Sequence, residues 1–312
     1  MEVELEFLAS GSRLPASVVG IGVFDGVHRA HQKLIGNVVA RARAGGHPSV
    51  VLTFDPHPQE VLTGHPLPRL ASLDERLARI AALGVDHAKV VRFSKAFSQA
   101  SPEEFVRDIL VGRLGARSVV VGFNFTFGRG GRGTAHTLGE LGQTLGFAVE
   151  AVEPVAVDDL TVSSSAIRQA LARGDVASAS RLLGRPYTLT GLVVTGNARG
   201  RTIGFPTANL APEPATLQLP GRGVYTADAT PGGDRTYPAV VNVGTRPTFD
   251  GTSTVVVPEI YLHGFSGDLV GRPLAVTFLD RVRDERRFDS VDALVAQIKQ
   301  DLAHMLASRG LA

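Results

Sequence analysis

The chain has 312 residues, 44% of them hydrophobic, which is too much for one small core and suggests two domains of ordinary size. Its 32 Lys and Arg against 30 Asp and Glu exclude the broad basic field that dominates non-specific nucleic-acid binding, and the absence of cysteine excludes disulfides, thiolate zinc sites and cysteine nucleophiles. The acidic opening MEVELEFLAS has no signal-peptide pattern and no window is apolar for long enough to span a bilayer. These features predict a soluble cytoplasmic protein and imply neither a nucleic-acid nor a membrane partner.

From Val18 to Val152, apolar strand-like runs alternate with segments long enough for crossover helices. The runs are Val18 to Phe24, Ser49 to Phe54, Val85 to Phe93, Ser118 to Phe123 and Phe147 to Val152. Such alternation predicts an α/β domain with a doubly wound parallel sheet. Ser72 with Glu75, and Ser101-Pro102 with Glu104, fit capping boxes, and Gly45-Gly46 is a helix stop. Short helical pieces at about Ser165 to Ala172 and Val176 to Leu183 follow. Beyond Gly184 the chain breaks into short β runs divided by Gly and Pro: Tyr187 to Thr195, Gly223 to Ala229, Tyr237 to Val243, Val255 to Leu262 and Leu274 to Phe278. That punctuation predicts a small barrel or sandwich. Ser290 caps a last helix, Val291 to Leu306, whose Leu294, Ile298, Leu302 and Met305 are spaced to cover the barrel's flank. The predicted domains are residues 1–184 and 185–312.

Four segments of the first half carry candidate chemistry. Val19 to His31, VGIGVFDGVHRAH, reads as strand, tight turn and helix N-terminus, the place where an α/β sheet holds phosphate. His28 and His31 would share one face of the first helical turn, while Gly22 and Gly26 permit close backbone approach around Phe24 and Asp25. TFDPHP, Thr53 to Pro58, holds His57 at a strand's carboxyl end between two prolines that fix its path. VGFNFTFGRGGRG, Val121 to Gly133, formally contains G-x-G-x-x-G at Gly128, Gly130 and Gly133, but lacks the fingerprint's place at the start of a βαβ unit and has an acidic partner only approximately, at Glu150 or Glu153. A mobile flap over a ligand is the better account, with Asn124 as a polar edge and Phe125 and Phe127 as apolar faces. VSSSAIR, Val162 to Arg168, gathers serine hydroxyls, helix-start N–H groups and a guanidinium suited to phosphate oxygens.

In the second half, GNARGRTIGFPTAN (Gly196 to Asn209) joins a glycine and arginine loop containing Gly200 to Thr207 and Asn209, hard oxygen ligands of the kind Mg²⁺ accepts. GRGVY, NVGTRPTF (Asn242 to Phe249) and PEIYLHGFSGDLVG follow, with Glu259 on a predicted strand.

The series GVFDGVHRAH, TFDPHP, VGFNFTFGRGGRG and SSSAIR, followed by GFPTAN, resembles the prokaryotic bifunctional riboflavin kinase and FMN adenylyltransferase (FAD synthetase) family over the whole chain. The resemblance implies an N-terminal nucleotidyltransferase domain that makes FAD and pyrophosphate from FMN and ATP, and a C-terminal Mg²⁺-dependent kinase that makes FMN from riboflavin and ATP. It implies that His28 and His31 stabilise charge on the triphosphate, that Ser164, Ser165 and Arg168 hold its outer phosphates, and that Asn124 and His57 lie near flavin phosphate or nucleotide. It also implies Thr207 and Asn209 as metal and nucleotide ligands, Glu259 as the base for the ribityl hydroxyl, and Arg283, Glu285 and Phe288 in a flavin-side closing element. The chain departs from the family at His28-Arg29-Ala30-His31, where the usual motif is H-x-G-H and the added methyl faces the adenine. It also has Tyr261 and Gly264 where a histidine and an aspartate are common. Two neighbouring readings remain open at this level: a riboflavin kinase with an impaired adenylyltransferase domain, and a non-catalytic flavin-binding regulator or carrier. A nicotinamide-dependent reductase is a further alternative, tested by NADH or NADPH binding.

Overall fold

The computed structural model describes residues 1–196, 203–233, 235–247 and 254–311, so Gly200 and Phe249 of the motifs above lie outside the described residues. Six parallel strands build the first sheet: β1 (Glu2–Glu4), β2 (Ser17–Ile21), β3 (Ser49–Asp55), β4 (His87–Arg92), β5 (Ala116–Gly122) and β6 (Ala148–Val152). Their order is β1-β4-β3-β2-β5-β6. Alternate residues of β2 feed two separate cores: Val19 and Ile21 pack with Leu52, Phe105 and Leu110, whereas Val18 packs with Leu34, Ile35 and Val38 of the helix α1 (Arg29–Gly45). A sheet with apolar cores on both faces is the doubly wound architecture. The run of strands turns back at β2, with β3 and β4 on one side and β5 and β6 on the other. In open α/β sheets that reversal is where ligands sit, at the strands' carboxyl ends.

β1 is an edge strand of only three residues, Glu-Val-Glu, and was not among the expected strands. Its charges have partners: buried Lys89 of β4 hydrogen bonds Glu4 at 2.7 Å. Helix α2 (Leu73–Ala82) begins at Ser72, whose Oγ accepts from the Glu75 N–H, but the Glu75 carboxylate turns to Arg79 rather than back to the cap. Ser101 and Glu104 form the full reciprocal box. Helix α3 (Ala135–Leu145) precedes β6.

The chain divides into two compact units, Met1–Leu67 with Ala71–Ser163, and Pro68–Leu70 with the residues from Ser164 onward. Helices α4 (Ser164–Ala172) and α5 (Val176–Leu183) therefore group with the second unit. The physical link is local: the Gly221 N–H donates to Leu171 O at the end of α4, and the Tyr225 hydroxyl donates to Gly221 O.

The second unit's strands are β7 (Thr188–Val194), β8 (Ala208–Pro212), β9 (Gly223–Pro231), β10 (Tyr237–Pro247), β11 (Thr254–Leu262) and β12 (Pro273–Arg283). They close into an antiparallel barrel in the order β7-β8-β11-β10-β9-β12. Leu189, Leu210, Tyr225, Val241, Ile260 and Phe278 fill it. β8 was not among the expected strands, because its Ala-Asn start after Pro206 reads as loop. The terminal helix α6 (Val291–Ala307) starts at the Ser290 cap, as expected. The seam it buries is different: Gln297, Asp301 and Met305 lie deepest, and Leu294, Ile298 and Leu302 only partly. A polar network, described below, replaces the apolar stripe.

Candidate active sites

In the first unit, β2 ends at Ile21 and the chain turns sharply into α1. Phe24 and Val27, both buried, have φ of +56° and +41°, a left-handed backbone that bulky side chains seldom adopt. A Cβ at Gly22 would come within 3.0 to 3.1 Å of the Phe24 ring, so a side chain there would require that ring to shift by a few tenths of an ångström. The Val27 carbonyl accepts from Gln32 Nε2 at 2.9 Å, which closes the turn against the first helical residues.

His28 is the N-cap of α1, its Nδ1 accepting from the His31 N–H at 3.4 Å. A neutral imidazole that accepts at Nδ1 carries its proton on Nε2, so the cap leaves a donor on the other edge of the ring. The two imidazoles stack with centroids 3.5 Å apart, and Phe24 meets His31 edge-on at 5.2 Å. Burial, with electrostatic interaction with His28 and the Arg76 guanidinium adding to it, holds the His31 pKa well below the ordinary histidine value. His31 is therefore neutral at pH 7, and its Nδ1 is buried with no hydrogen-bond partner among the described residues. Uncharged ring N–H groups at a helix N-terminus can stabilise charge that develops on a phosphate.

Sequence reasoning missed Arg76. It lies in the first turn of α2 and reads as a surface residue, yet it is 3% exposed. Its guanidinium donates to Val23 O at 2.7 Å and to Phe54 O at 3.2 Å, and lies 3.6 Å from the Asp55 carboxylate. Thr53 Oγ1 also donates to Val23 O, at 3.1 Å. The strand-end loops after β2 and β3 are thus joined through Val23. His57 follows in the second of these loops and caps a short helix, its Nδ1 accepting from the Gln59 N–H at 3.1 Å.

The glycine-rich segment after β5 is tied down at several points. Thr126 and Phe127 pair with Thr134 and Gly133, and the Arg129 N–H donates to Ala100 O at 2.7 Å. Phe125 stacks on Phe127 at 5.4 Å, and Phe127 meets Phe105 at a tilt, so Phe125 belongs to an aromatic cluster while Phe123 and Asn124 are exposed. This hairpin separates β5 from α3. A dinucleotide fingerprint needs its strand to run directly into its helix, so the G-x-G-x-x-G match is a coincidence of composition.

In the second unit, α4 begins at Ser164, which puts Ser163 immediately before its first turn and Ser165 within it. Arg168 donates from Nε to Pro68 O at 2.6 Å. On the barrel, Asn209 of β8 lies directly opposite Glu259 of β11, and Glu259 directly opposite Asn242 of β10. Residues paired in this way share one face of the sheet, with Cβ atoms roughly 5 Å apart. Asn209 is buried and its Oδ1 has no hydrogen-bond partner among the described residues. It lines a cavity of about 600 Å³ together with Thr207, Tyr261 and Leu269. A Cβ at Gly196 would overlap the Asn209 side chain, so the chain there must be glycine for Asn209 to hold its place.

Another cavity, of about 640 Å³, is lined by Arg222, Thr245, Asp284, Glu285, Arg286 and Arg287. Glu285 leans over Gly244, two residues along β10 from Asn242. Arg283 directs its fork at Asp301 of α6, with bonds of 3.0 and 2.7 Å, and Gln297 Nε2 donates to the same carboxylate at 2.8 Å. Arg286 donates to Gln297 Oε1, and Arg283 and Arg286 lie over the Phe288 ring at 5.8 and 4.8 Å. The segment after β12 is thereby anchored on the terminal helix.

The first unit thus gathers polar groups at its strand-order reversal, and the barrel sets an amide oxygen without a partner among the described residues on a strand opposite a carboxylate. Family models match each: one described as FAD synthetase covers residues 11–166, and one described as riboflavin kinase covers residues 183–308. The bifunctional riboflavin kinase/FMN adenylyltransferase of Escherichia coli strain K12 is 38% identical over 286 residues, 91% of this chain and 90% of the relative. That of Pseudomonas fluorescens is 39% identical over 295 residues, covering 95% and 93%. A crystal structure from Streptococcus pneumoniae, described as a macrolide-efflux protein, superposes with a TM-score of 0.87 at 35% identity over 97% of this chain and 98% of that one. Among the described residues no helix is long and apolar enough to cross a membrane. The chain belongs to the bifunctional riboflavin kinase/FMN adenylyltransferase family.

Proposed function

We infer that the chain is a two-step flavin cofactor synthase, with riboflavin kinase activity in residues 185–312 and FMN adenylyltransferase activity in residues 1–184. The observation that carries the reading is that each unit has a buried polar atom without a hydrogen-bond partner among the described residues, set beside a fixed neighbour. In one it is His31 stacked on His28, in the other Asn209 opposite Glu259.

In the kinase reaction the ribityl 5′-hydroxyl attacks the γ-phosphorus of ATP, the bond to the β-phosphate oxygen breaks, and ADP leaves. Glu259 accepts the hydroxyl proton. Thr207 and Asn209 would hold a hard cation, since a buried amide oxygen with no donor among the described residues is a ligand in waiting, and Mg²⁺ there would neutralise phosphate charge. ATP occupies the cavity beside Asn209, and riboflavin the side closed by Glu285, with Arg283 and Phe288 holding that segment in place.

In the second reaction a phosphate oxygen of FMN attacks the α-phosphorus of ATP and pyrophosphate leaves. His28 and His31 donate to the triphosphate at the turn built by Gly22, Phe24, Asp25 and Gly26. His57, Asn124 and Phe125 serve the flavin side. No covalent intermediate is needed, so alignment and electrostatics supply the rate. The absence of cysteine suits work in the cytoplasm.

Incubation with riboflavin, ATP and Mg²⁺ followed by chromatography of the flavins tests the whole reading. FMN and FAD should both accumulate, and chelation should stop both steps. Formation of neither overturns it.

A further inference from the structure

The turn that carries the histidine pair has two bulky residues in left-handed backbone within four positions, Phe24 and Val27. Such a turn keeps its shape only where its surroundings over-determine it. Within the turn, the Val27 N–H donates to Phe24 O at 3.0 Å and Gln32 holds the Val27 carbonyl. From outside, Val23 O receives Arg76 and Thr53. Arg76 alone of these side chains also reaches Phe54 O, and so ties the histidine turn to the end of β3 and the Asp55 carboxylate.

Burying a guanidinium is costly, and an apolar residue at this position of α2 would extend the face on which Leu77 and Ile80 are already buried. A side chain kept there at such cost is doing something that packing cannot. We propose that Arg76 is a positioning residue for adenylyl transfer: its forked head fixes the two strand-end loops against each other and so sets where His28 and His31 meet the triphosphate. The proposal rests on the assignment of that reaction to the first unit. Arg76 also acts on the histidines electrostatically. Burial is the main cause of the lowered His31 pKa, followed by electrostatic interaction with His28, at the cap of α1, and with the Arg76 guanidinium, in α2.

The test compares Arg76→Lys and Arg76→Met in the full chain. Lysine keeps the charge but is a point donor that cannot serve two carbonyls in fork geometry. Methionine removes both. FAD formation from supplied FMN should lose about 10² in kcat in each variant, the usual consequence of a reacting group displaced by about an ångström. The pH profile separates the two effects. Protonation of His31 as pH falls defines the acid limb, and removing a nearby positive charge raises the His31 pKa. The acid midpoint should therefore move to higher pH in Arg76→Met and stay in place in Arg76→Lys, and NMR titration of the His31 ring should follow the same pattern. Wild-type kcat in Arg76→Lys overturns the proposal, and so does a lower Tm in Arg76→Met with kcat and pH midpoint unmoved, which is what a purely structural arginine would give. If Arg76→Met fails to fold, the kcat and midpoint of Arg76→Lys decide alone. His31→Ala is the control for the underlying assignment. Undiminished FAD synthesis in that variant removes the assignment itself, whereas a large loss there with unaffected Arg76 variants removes only the positioning role.

Discussion

The two units solve the same problem, holding a polyphosphate beside a reacting group, with different parts of the backbone. In the α/β unit the polar groups stand on a turn and a helix cap at strand ends, and a few hydrogen bonds made by side chains keep them in place. In the barrel they stand on paired strands, where the ladder itself fixes Asn209, Glu259 and Asn242 in one row. A site made by register should tolerate removal of one chemical group without moving its neighbours. A site made by pinned loops should not.

The sharpest test of that contrast is Glu259→Gln, which keeps size and strand pairing and removes the base. FMN formation should fall by about 10² to 10⁴, the usual worth of a positioned general base, with Tm unchanged and FAD formation from supplied FMN retained. Steady-state rates of the two half reactions and a thermal melt check this. An equal loss in both activities would point to misfolding, and an unchanged kinase rate would show that Glu259 is not the base.

How much of this was legible beforehand follows the same division. The parallel sheet, the closed barrel and the last helix could be read because hydrophobic period and Gly/Pro punctuation are local signals. His28 and His31 could be paired because three residues of helix bring two rings to one face. Arg76 could not be found, since its burial depends on where the ends of β2 and β3 meet, which no local pattern encodes. The seam of α6 was misjudged for a related reason. Leucines at helical spacing predict an apolar stripe, but Asp301 and Gln297 take the buried positions because Arg283 and Arg286 arrive from β12 and the segment after it.

That seam is also where the barrel most resembles the other unit, because its closing segment is held by side chains. Asp301→Ala leaves Arg283 without its carboxylate and should destabilise the barrel by about 2 kcal/mol, within the range for hydrogen bonds to charged groups. If the anchor also orders the flavin side, the KM for riboflavin should rise while the KM for ATP in the kinase reaction holds. A melt together with two substrate titrations separates these. An unaltered Tm and riboflavin KM would show that the barrel site owes nothing to side-chain anchoring, and the contrast between the units would be complete.

The smallest effect concerns Ala30, the second residue of α1, half-buried between the two histidines. The family resemblance implies a glycine here, and the prediction is that, if the added methyl crowds the adenine, the pinned turn gives it no room to withdraw. Relief of an overpacked contact is worth roughly 1 to 3 kcal/mol, and Ala30→Gly should raise kcat/KM for ATP in FAD synthesis by about tenfold. Glycine near a helix start costs up to about 1 kcal/mol of its own, which works against part of the gain. Catalytic efficiency and Tm must therefore be measured on the same variant, with the kinase reaction as a reference. A lower efficiency at unchanged Tm would mean that the turn through Phe24 and Val27 has settled around the alanine, and that this unit's geometry is adjusted residue by residue in a way that strand register does not require.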